Sequence, residues 1–380
     1  MKSIYEENRA WVDETWAKLD KKMKKVAQRT KDKLPYSAQD GVYDNQLEPG
    51  AKFGAAWWTN GFWPGLMWVM YCGTKDSSYK AVAEHGEELL DKAFENFDAL
   101  HHDVGFMWHI SSGVNYRLFK GSSSRTRTMY AANMLAARFN IGGSFIRAWN
   151  GDNLGWTIID TMMNIPLLYW ASEETGDPRY RFIAEAHADM AMRDHVRADG
   201  SVCHIVAHNP NNGEVEDIIA GQGYAPESSW SRGAGWALYG FILSYIHTGK
   251  QEYLDTAKRV AHYFISCICD DWLVRCDFRS PDEPVFYDTT AGGVAACGLI
   301  EIAKHVGEYE SGIYMNAAIN ILKAMTEKFA DFDESTDPVM LMGTERYYPI
   351  DVGKHMPIIY GDYYFAEALY KLRGGDMLFW

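Results

Sequence analysis

The chain has 380 residues, a formal net charge of −14 and an aromatic content of 14%. An acidic protein is repelled by nucleic acids and by anionic membrane surfaces, so we expect neither as a partner. No apolar run approaches the roughly 20 residues of a membrane span, and the first residues lack the apolar segment of a secretory signal. The six cysteines are scattered without a Cys-x-x-Cys pair, which indicates reduced thiols and a cytoplasmic location.

In chain order, the first predicted element is a charged amphipathic helix over residues 4–29, followed by a loop rich in proline and glycine over residues 30–56. One pattern then recurs: an apolar helix ends in a short polar turn, a tyrosine follows, and an alanine-rich helix begins. The recurring tyrosines are Tyr79, Tyr130, Tyr180, Tyr253 and Tyr314. Their spacings of 51, 50, 73 and 61 residues indicate a repeated pair of antiparallel helices joined by a short turn.

The number of repeats predicts the fold. Five such turns and a terminal helix over residues 363–372 give six helical hairpins, which can close into a ring of inner and outer helices. We therefore predict an all-α protein, an (α/α)6 toroid, as a single domain over residues 1–380 with residues 1–56 packed on it. An open helical solenoid is the alternative, but long connections rich in glycine and aromatic residues argue against simple stacking.

A single carboxylate, Asp160, lies within the apolar stretch 155–171. Trp156, Asp160 and Asn164 recur at intervals of four residues, so the pattern predicts a core helix with one polar stripe. Such a stripe needs a polar network or a water-filled cavity to face, because burying an unpaired charge is costly. A structural aspartate bonded to backbone amides and a functional aspartate facing a cavity are both consistent with this stretch.

A second carboxylate, Asp103, follows His101 and His102. A catalytic metal site draws ligands that converge in space, which three adjacent residues rarely do, so we expect no metal. In the alternative interpretation Asp103 is a turn or helix-capping acid, because a glycine follows closely. No Walker, GxGxxG or GxSxG signature occurs, so neither a nucleotide cofactor nor a serine-hydrolase mechanism has support, and we expect no cofactor.

Arg232 lies between Trp230 and Trp236 and is flanked by small residues. This setting is typical of a guanidinium held against an anionic substrate group with rings on either side. The alternative is a surface ion pair with Glu227.

Five segments together resemble the unsaturated glucuronyl hydrolases of glycoside hydrolase family 88. They are residues 58–63 (WTNGFW), 100–106 (LHHDVGF), 158–168 (IIDTMMNIPLL), 229–233 (SWSRG) and 361–369 (GDYYFAEAL). The resemblance runs in order over most of the chain and implies an (α/α)6 barrel, in agreement with the hairpin count. It also implies an enzyme that removes 4,5-unsaturated glucuronic acid from the non-reducing end of lyase-generated oligosaccharides.

The resemblance assigns roles to particular residues. Asp160 would be the general acid that protonates C4 of the vinyl ether and then assists the addition of water at C5, and Asp103 would be the second essential acid. A general acid that works near neutral pH needs a raised pKa, which an apolar surround favours. The residues expected to line the substrate pocket are Trp58, His102, Trp149, His204, Gln222, Arg232 and Trp236. Because an acidic protein repels a uronate at long range, local cations are needed, and Arg232, Arg147 and Lys354 are available.

Three departures from the family pattern concern specificity. Ala234 and Gly235 follow the SWSRG segment where the family has glutamine and alanine before the tryptophan, and Arg147 precedes Ala148 where the family has glutamine. A Ser-x-x-Ser-x-Lys motif that some members carry for sulfated disaccharides is reduced here to Lys354. The preference for 6-sulfated chondroitin units is therefore open.

Three rival functions remain at this point. An unsaturated rhamnogalacturonyl hydrolase has the same barrel and catalytic acid, and a sugar epimerase on the same toroid would use histidines as acid and base. A glycan-binding protein without activity is the third. The expected partner is an unsaturated uronyl oligosaccharide, and the expected state is a monomer or a weak homo-oligomer.

Overall fold

Helices alternate between an inner and an outer ring in the computed structural model, which describes residues 4–380. The helices are α1 (Ile4–Thr30), α2 (Phe62–Thr74), α3 (Ser77–Leu90), α4 (Val104–Trp108), α5 (Ser112–Phe119), α6 (Ser122–Ala137), α7 (Pro166–Thr175), α8 (Pro178–Asp194), α9 (Ser231–Thr248), α10 (Gln251–Cys267), α11 (Thr289–His305), α12 (Glu308–Phe329) and α13 (Ile359–Leu372). Three 3₁₀ helices, Trp58–Gly61, Asp91–Ala99 and Ile159–Met163, lie between them. Residues 1–3, which the predicted domain includes, lie outside the described residues.

Six helix pairs form the ring. The inner members α2, α5, α7, α9, α11 and α13 pack respectively against the outer members α3, α6, α8, α10, α12 and α1. The ring closes because α13 packs on one side against α11 and on the other against α2. The prediction of an (α/α)6 toroid is confirmed. No helix of residues 4–380 has the length and apolar character needed to cross a bilayer.

The recurring tyrosines tie neighbouring outer helices together. Four of them are buried at the start of an outer helix, and each hydroxyl group bonds a residue on the preceding outer helix. These pairs are Tyr79 with Asp20, Tyr180 with Asn133, Tyr253 with Asp189 and Tyr314 with His262. Tyr130 is the exception, because it lies in the middle of α6 and is 58% exposed. The turn that joins α5 to α6 comes before Tyr130, so the tyrosine does not mark that hairpin as predicted.

Short strands fill the connections. They are β1 (Ala38–Gln39), β2 (Val42–Tyr43), β3 (Phe139–Asn140), β4 (Phe145–Ile146), β5 (Trp156–Ile158), β6 (Ile205–His208) and β7 (Val215–Ile219). β1 and β2 form a small hairpin inside the segment predicted to be a loop. β5, β6 and β7 form an antiparallel sheet in which Ile158 lies opposite Ile205. With Ala148, these two isoleucines form a small apolar cluster of their own.

The stretch 155–171 is not the single helix that the sequence pattern predicts. It contains β5, the 3₁₀ helix Ile159–Met163 and the first turns of α7. Two local features explain the division. Thr157, Ile158 and Ile159 are β-branched and favour an extended backbone, and Pro166 occupies the first turn of α7, where a missing N–H costs nothing. In the interior of a single helix over residues 155–171, the same proline would have broken the helix.

Candidate active site

A cavity of about 580 Å³ opens beside the β5–β6–β7 sheet and the 3₁₀ helix that carries Asp160. Its lining residues come from five separate connections of the toroid. They are Trp57, Trp58, His101, His102, Asp103, Trp149, Trp156, Ile158, Asp160, His204, Ile205, Ile219, Gly221, Gln222 and Arg346. Seven of the ten predicted site residues are thus brought together, while Arg232, Trp236 and Lys354 are not part of the lining.

Asp160 lies at the beginning of the 3₁₀ helix with its side chain 14% exposed. Its Oδ1 atom is buried and has no hydrogen-bond partner among the described residues. The nearest charged or titratable contact is Nε2 of His204, 3.6 Å from Oδ1, which is too long for a direct hydrogen bond. A structural aspartate would have its carboxylate bonded to backbone amides. Oδ1 of Asp160 is instead unpaired and faces the cavity, so this alternative does not describe it.

His204 presents a defined nitrogen to Asp160. Its Nδ1 atom accepts the backbone N–H of Gln222 at 2.9 Å, so in the neutral ring the proton is on Nε2, which faces Asp160. The ring also packs against Trp230, with the centroids 4.2 Å apart. Gly221 makes this approach possible: its φ is +60°, and a Cβ atom there would lie 2.0 Å from Nδ1 of His204.

Asp103 also lines the cavity and is held in place by polar contacts. Its Oδ1 accepts a hydrogen bond from Nδ2 of Asn164 at 3.1 Å, and its Oδ2 lies 3.4 Å from both His101 Nδ1 and His102 Nε2. Burial, with a further contribution from the neighbouring Asp160 charge, raises the pKa of Asp103 well above its ordinary value. The site therefore holds a buried acid, Asp103, whose protonated form is favoured by its surroundings.

The two histidines beside Asp103 are neutral. Burial lowers the pKa of His101 to about 4 and lowers that of His102 well below its ordinary value. His102 is held further by its Nδ1 atom, which is 2.7 Å from the Thr161 hydroxyl group. Neither imidazole offers a positive charge to neutralise Asp103.

His101, His102 and Asp103 bring one potential metal-ligand atom each within 4.8 Å of one another. Two of these residues have polar partners through their other atoms, because His102 Nδ1 contacts Thr161 and Asp103 Oδ1 accepts from Asn164. The atoms that face one another are Nδ1 of His101 and Nε2 of His102, each 3.4 Å from Oδ2 of Asp103. The absence of a metal stays a prediction, which a chelator tests.

Arg232 is buried and its donors are used within the protein. Nη1 forms an ion pair with Asp288 at 2.5 Å and also donates to the Thr344 carbonyl, while Nη2 donates to the Glu345 carbonyl. The guanidinium lies 4.6 Å from the Trp230 ring, so the expected ring contact is present. The predicted direct contact with an anionic substrate group is not what this geometry provides, and neither is the alternative pair with Glu227. Arg232 instead holds the segment that leads to Arg346.

Trp236 and the two other predicted cations also lie away from the cavity lining. Trp236 is fully buried in the bore, where its ring packs against Phe106 and Tyr364. Lys354 donates to two carbonyl groups of its own loop, and Arg147 donates to the carbonyl of Gly151. The two departures at Arg147 and Lys354 therefore do not place a cation at the cavity.

Arg346 and Asn164 are the functional candidates that the sequence argument did not identify. Arg346 is the single lysine or arginine among the described lining residues, and it is half exposed and paired with Glu345. It belongs to the long connection before α13, but nothing in its neighbours distinguishes it from other surface arginines. Asn164 stood out only by its spacing from Asp160, and its role depends on Asp103, which is 61 residues away in sequence.

Sequence comparison gives the relatives of the chain. It is 37% identical over 334 residues to the "Unsaturated glucuronyl hydrolase" of Bacillus sp. (strain GL1), covering 85% of this chain and 88% of that protein. It is 32% identical over 332 residues to the "Unsaturated chondroitin disaccharide hydrolase" of Streptococcus pneumoniae, covering 85% of this chain and 83% of that protein. The chain belongs to the unsaturated glucuronyl hydrolases. No protein-family model matches it.

The fold supports the same assignment. The crystal structure of the unsaturated glucuronyl hydrolase from Bacillus sp. GL1 superposes with a TM-score of 0.85 at 34% sequence identity. The alignment covers 94% of this chain and 96% of that one. The chain is therefore a hydrolase that spans nearly the whole length of its unsaturated glucuronyl hydrolase relatives.

Proposed function

We propose that this enzyme removes 4,5-unsaturated glucuronic acid from the non-reducing end of glycosaminoglycan-type oligosaccharides produced by lyases. The reaction class in this proposal rests on membership of the unsaturated glucuronyl hydrolases. The observation that carries the site is the unpaired Oδ1 of Asp160, at a cavity that a second buried acid, Asp103, also lines. The names of the two relatives support an unsaturated glucuronyl disaccharide as the minimal substrate.

The proposed reaction is the hydration of a vinyl ether rather than direct displacement at the glycosidic carbon, so the carboxylate-separation rule of ordinary glycosidases does not apply. Asp160 donates a proton to C4, and positive charge develops at C5 and the ring oxygen. Water adds to C5 and gives its proton back to Asp160. The C5 hemiketal opens to a ketone, and the hemiacetal left at C1 expels the rest of the sugar chain. One water molecule is consumed and Asp160 is regenerated.

The remaining lining residues supply recognition in this proposal. Trp58, Trp149 and Trp156 offer ring faces to the sugar, and the last two have centroids 5.9 Å apart. Arg346 provides the positive charge that an acidic protein needs near an anionic sugar. Gln222 connects the two sides of the opening, because its Nε2 donates to the Glu345 carbonyl.

The test is a panel of unsaturated disaccharides followed by the ultraviolet absorbance of their double bond. Hyaluronan, chondroitin and heparin disaccharides are compared with a rhamnose-linked unsaturated galacturonyl disaccharide, each with and without a chelator. We expect loss of absorbance with at least one glucuronyl substrate and no effect of the chelator. Turnover of the rhamnose-linked substrate alone would identify the rival hydrolase. Absorbance that persists with every substrate would refute the proposal, and sugar interconversion without loss of the double bond would identify an epimerase.

A further inference from the structure

Asn164 is fully buried at the point where the two acid-bearing segments meet. Its Nδ2 atom donates to Oδ1 of Asp103 and to the backbone carbonyl of Asp160, both at 3.1 Å. Its Oδ1 atom accepts the backbone N–H of Phe106 at 2.9 Å. One amide side chain thus contacts the helix that follows Asp103 and the 3₁₀ helix that carries Asp160.

The three bonds fix the orientation of the amide. A backbone N–H can only donate, so the atom facing Phe106 must be the amide oxygen and the NH₂ group must face Asp103. Oδ1 of Asp103 is consequently an acceptor. A proton held by Asp103 is therefore on Oδ2, the oxygen that lies beside His101 and His102.

Close packing leaves Asn164 no room to move. A Cβ atom on Gly105 would lie 2.7 Å from both Cα and Oδ1 of Asn164, so only glycine permits this approach. The amide is clamped between the backbone of α4 and the 3₁₀ helix. This rigidity is what a group needs if it is to set the geometry of neighbouring acids.

We propose that Asn164 is a positioning residue, which determines the oxygen of Asp103 that carries a proton and joins Asp103 to the segment of Asp160. The inference rests on the proposed function, because it assigns Asn164 to the same two acids. Asn164 does not line the cavity. Its effect is exerted through the orientation and the ionisation of Asp103.

The test uses Asn164→Asp, Asn164→Ala and Asn164→Ser. The aspartate places an acceptor, and a negative charge, where Asp103 now receives a donor, and the alanine removes the donor. Both changes disfavour the ionised form of Asp103, so the acid limb of the pH–rate profile should move to higher pH, furthest in Asn164→Asp. We expect kcat to fall about 100-fold in Asn164→Asp with KM changed less than about threefold, because a misplaced acid affects the chemical step.

Asn115 offers a matched control. It is a buried asparagine whose Nδ2 donates to the buried Glu87 carboxylate at 2.7 Å, on α5 and outside the cavity lining. Asn115→Asp and Asn115→Ala disturb an equivalent bond and should lower the thermal unfolding temperature without moving the pH–rate profile. An equal shift in the Asn115 variants would attribute the effect to general destabilisation and overturn the inference.

Asn164→Ser keeps the test decisive if the other two variants do not fold. The smaller hydroxyl side chain strains nothing, retains at most one donor, and should shift the profile in the same direction by a smaller amount. A folded Asn164→Ser enzyme with the wild-type kcat and pH profile refutes the positioning role. The two failures are distinguishable, because the proposed function is tested on the wild-type enzyme with the disaccharide panel and the inference is tested on the variants.

Discussion

Two groups of buried carboxylates lie within the ring, and they differ in the partners that surround them. In the first group, Glu301 of α11 and Glu367 of α13 share the buried ammonium group of Lys371. Glu367 also accepts hydrogen bonds from the Tyr239 hydroxyl group and from the indole N–H of Trp380. In the second group, Asp103 and Asp160 have imidazole and amide side chains beside them, and one oxygen of Asp160 has no partner among residues 4–380.

The ionisation of the two groups follows from these partners. Burial would raise the pKa of Glu301, but Lys371 and Lys304 outweigh it and lower the pKa to about 2. Burial raises the pKa of Asp103, and the Asp160 charge raises it further. A cation beside a buried carboxyl group favours its ionised form, whereas burial without a cation favours the protonated form.

The largest expected effect is that of Asp160→Asn. The amide keeps the shape of the side chain but cannot supply the proton, so kcat should fall about 10⁴-fold, near the upper end for loss of a general acid. Loss of absorbance from an unsaturated disaccharide measures the rate, and Asp152→Asn, at an exposed position before β5, is the control. A variant with near-normal turnover would contradict the proposed role.

Lys371→Met tests the structural group. Removal of the cation leaves Glu301 and Glu367 buried without it, which should lower the free energy of unfolding by about 3–5 kcal/mol. Denaturant unfolding measures the change. The kcat per folded molecule and its pH dependence should stay at the wild-type values, and a shifted pH–rate profile would show that the two carboxylate groups are coupled.

The pH dependence of stability separates the two groups by sign. An acid with a raised folded-state pKa, such as Asp103, contributes stability that is complete below about pH 3.9 and is lost as the pH rises toward the folded value. Asp103→Asn should therefore be more stable than wild type at pH 8, with the difference shrinking toward pH 4.

Glu301→Gln is the opposite case. The pKa of Glu301 is lowered to about 2, so its contribution is present above the unfolded-state value and is lost as the pH falls toward 2. This variant should be less stable than wild type at pH 8, as measured by the same unfolding curves. Changes of the same sign in both variants would remove the distinction between the two groups.

Arg346→Gln carries the smallest expected effect. Its guanidinium is half exposed and is already paired with Glu345, so its loss should raise KM for anionic disaccharides roughly two- to fivefold and leave kcat unchanged. Steady-state kinetics on disaccharides with and without a sulfate group measure this. Arg147→Gln and Lys354→Gln, outside the cavity lining, are the controls, and equal changes in KM there would refute the placement.

Much of the fold was predictable because it depends on repetition. The hairpin count is a property of the sequence alone and gives six helix pairs, and four of the five recurring tyrosines mark an outer helix. The local structure around Asp160 was predicted wrongly, because a four-residue interval suits a helix while β-branched residues and Pro166 favour a different path. Local propensities outweighed the apparent periodicity.

The site was predictable to the extent that its residues lie in distinctive segments. The resemblance placed Asp103, Asp160 and His204 in one pocket, and the structure brings them to one cavity. The contacts of Arg232 could not be predicted in the same way. Its partner Asp288 is 56 residues away in sequence and belongs to none of the recognised segments. Contacts of this kind are decided by the closure of the ring.

The tyrosine contacts also mean that neighbouring outer helices are not held together equally strongly around the ring. Among the described residues no tyrosine hydroxyl group joins α6 to α3. Their junction combines a buried hydrogen bond from the Ser124 hydroxyl group to Glu87 with the ion pair of Arg127 and Asp91, just after α3, at 2.6 Å. Ion pairs weaken as dissolved salt increases, while hydrogen bonds from buried hydroxyl groups are screened much less. We therefore expect added salt to accelerate amide hydrogen exchange in α6 before it does so in α8, α10 or α12.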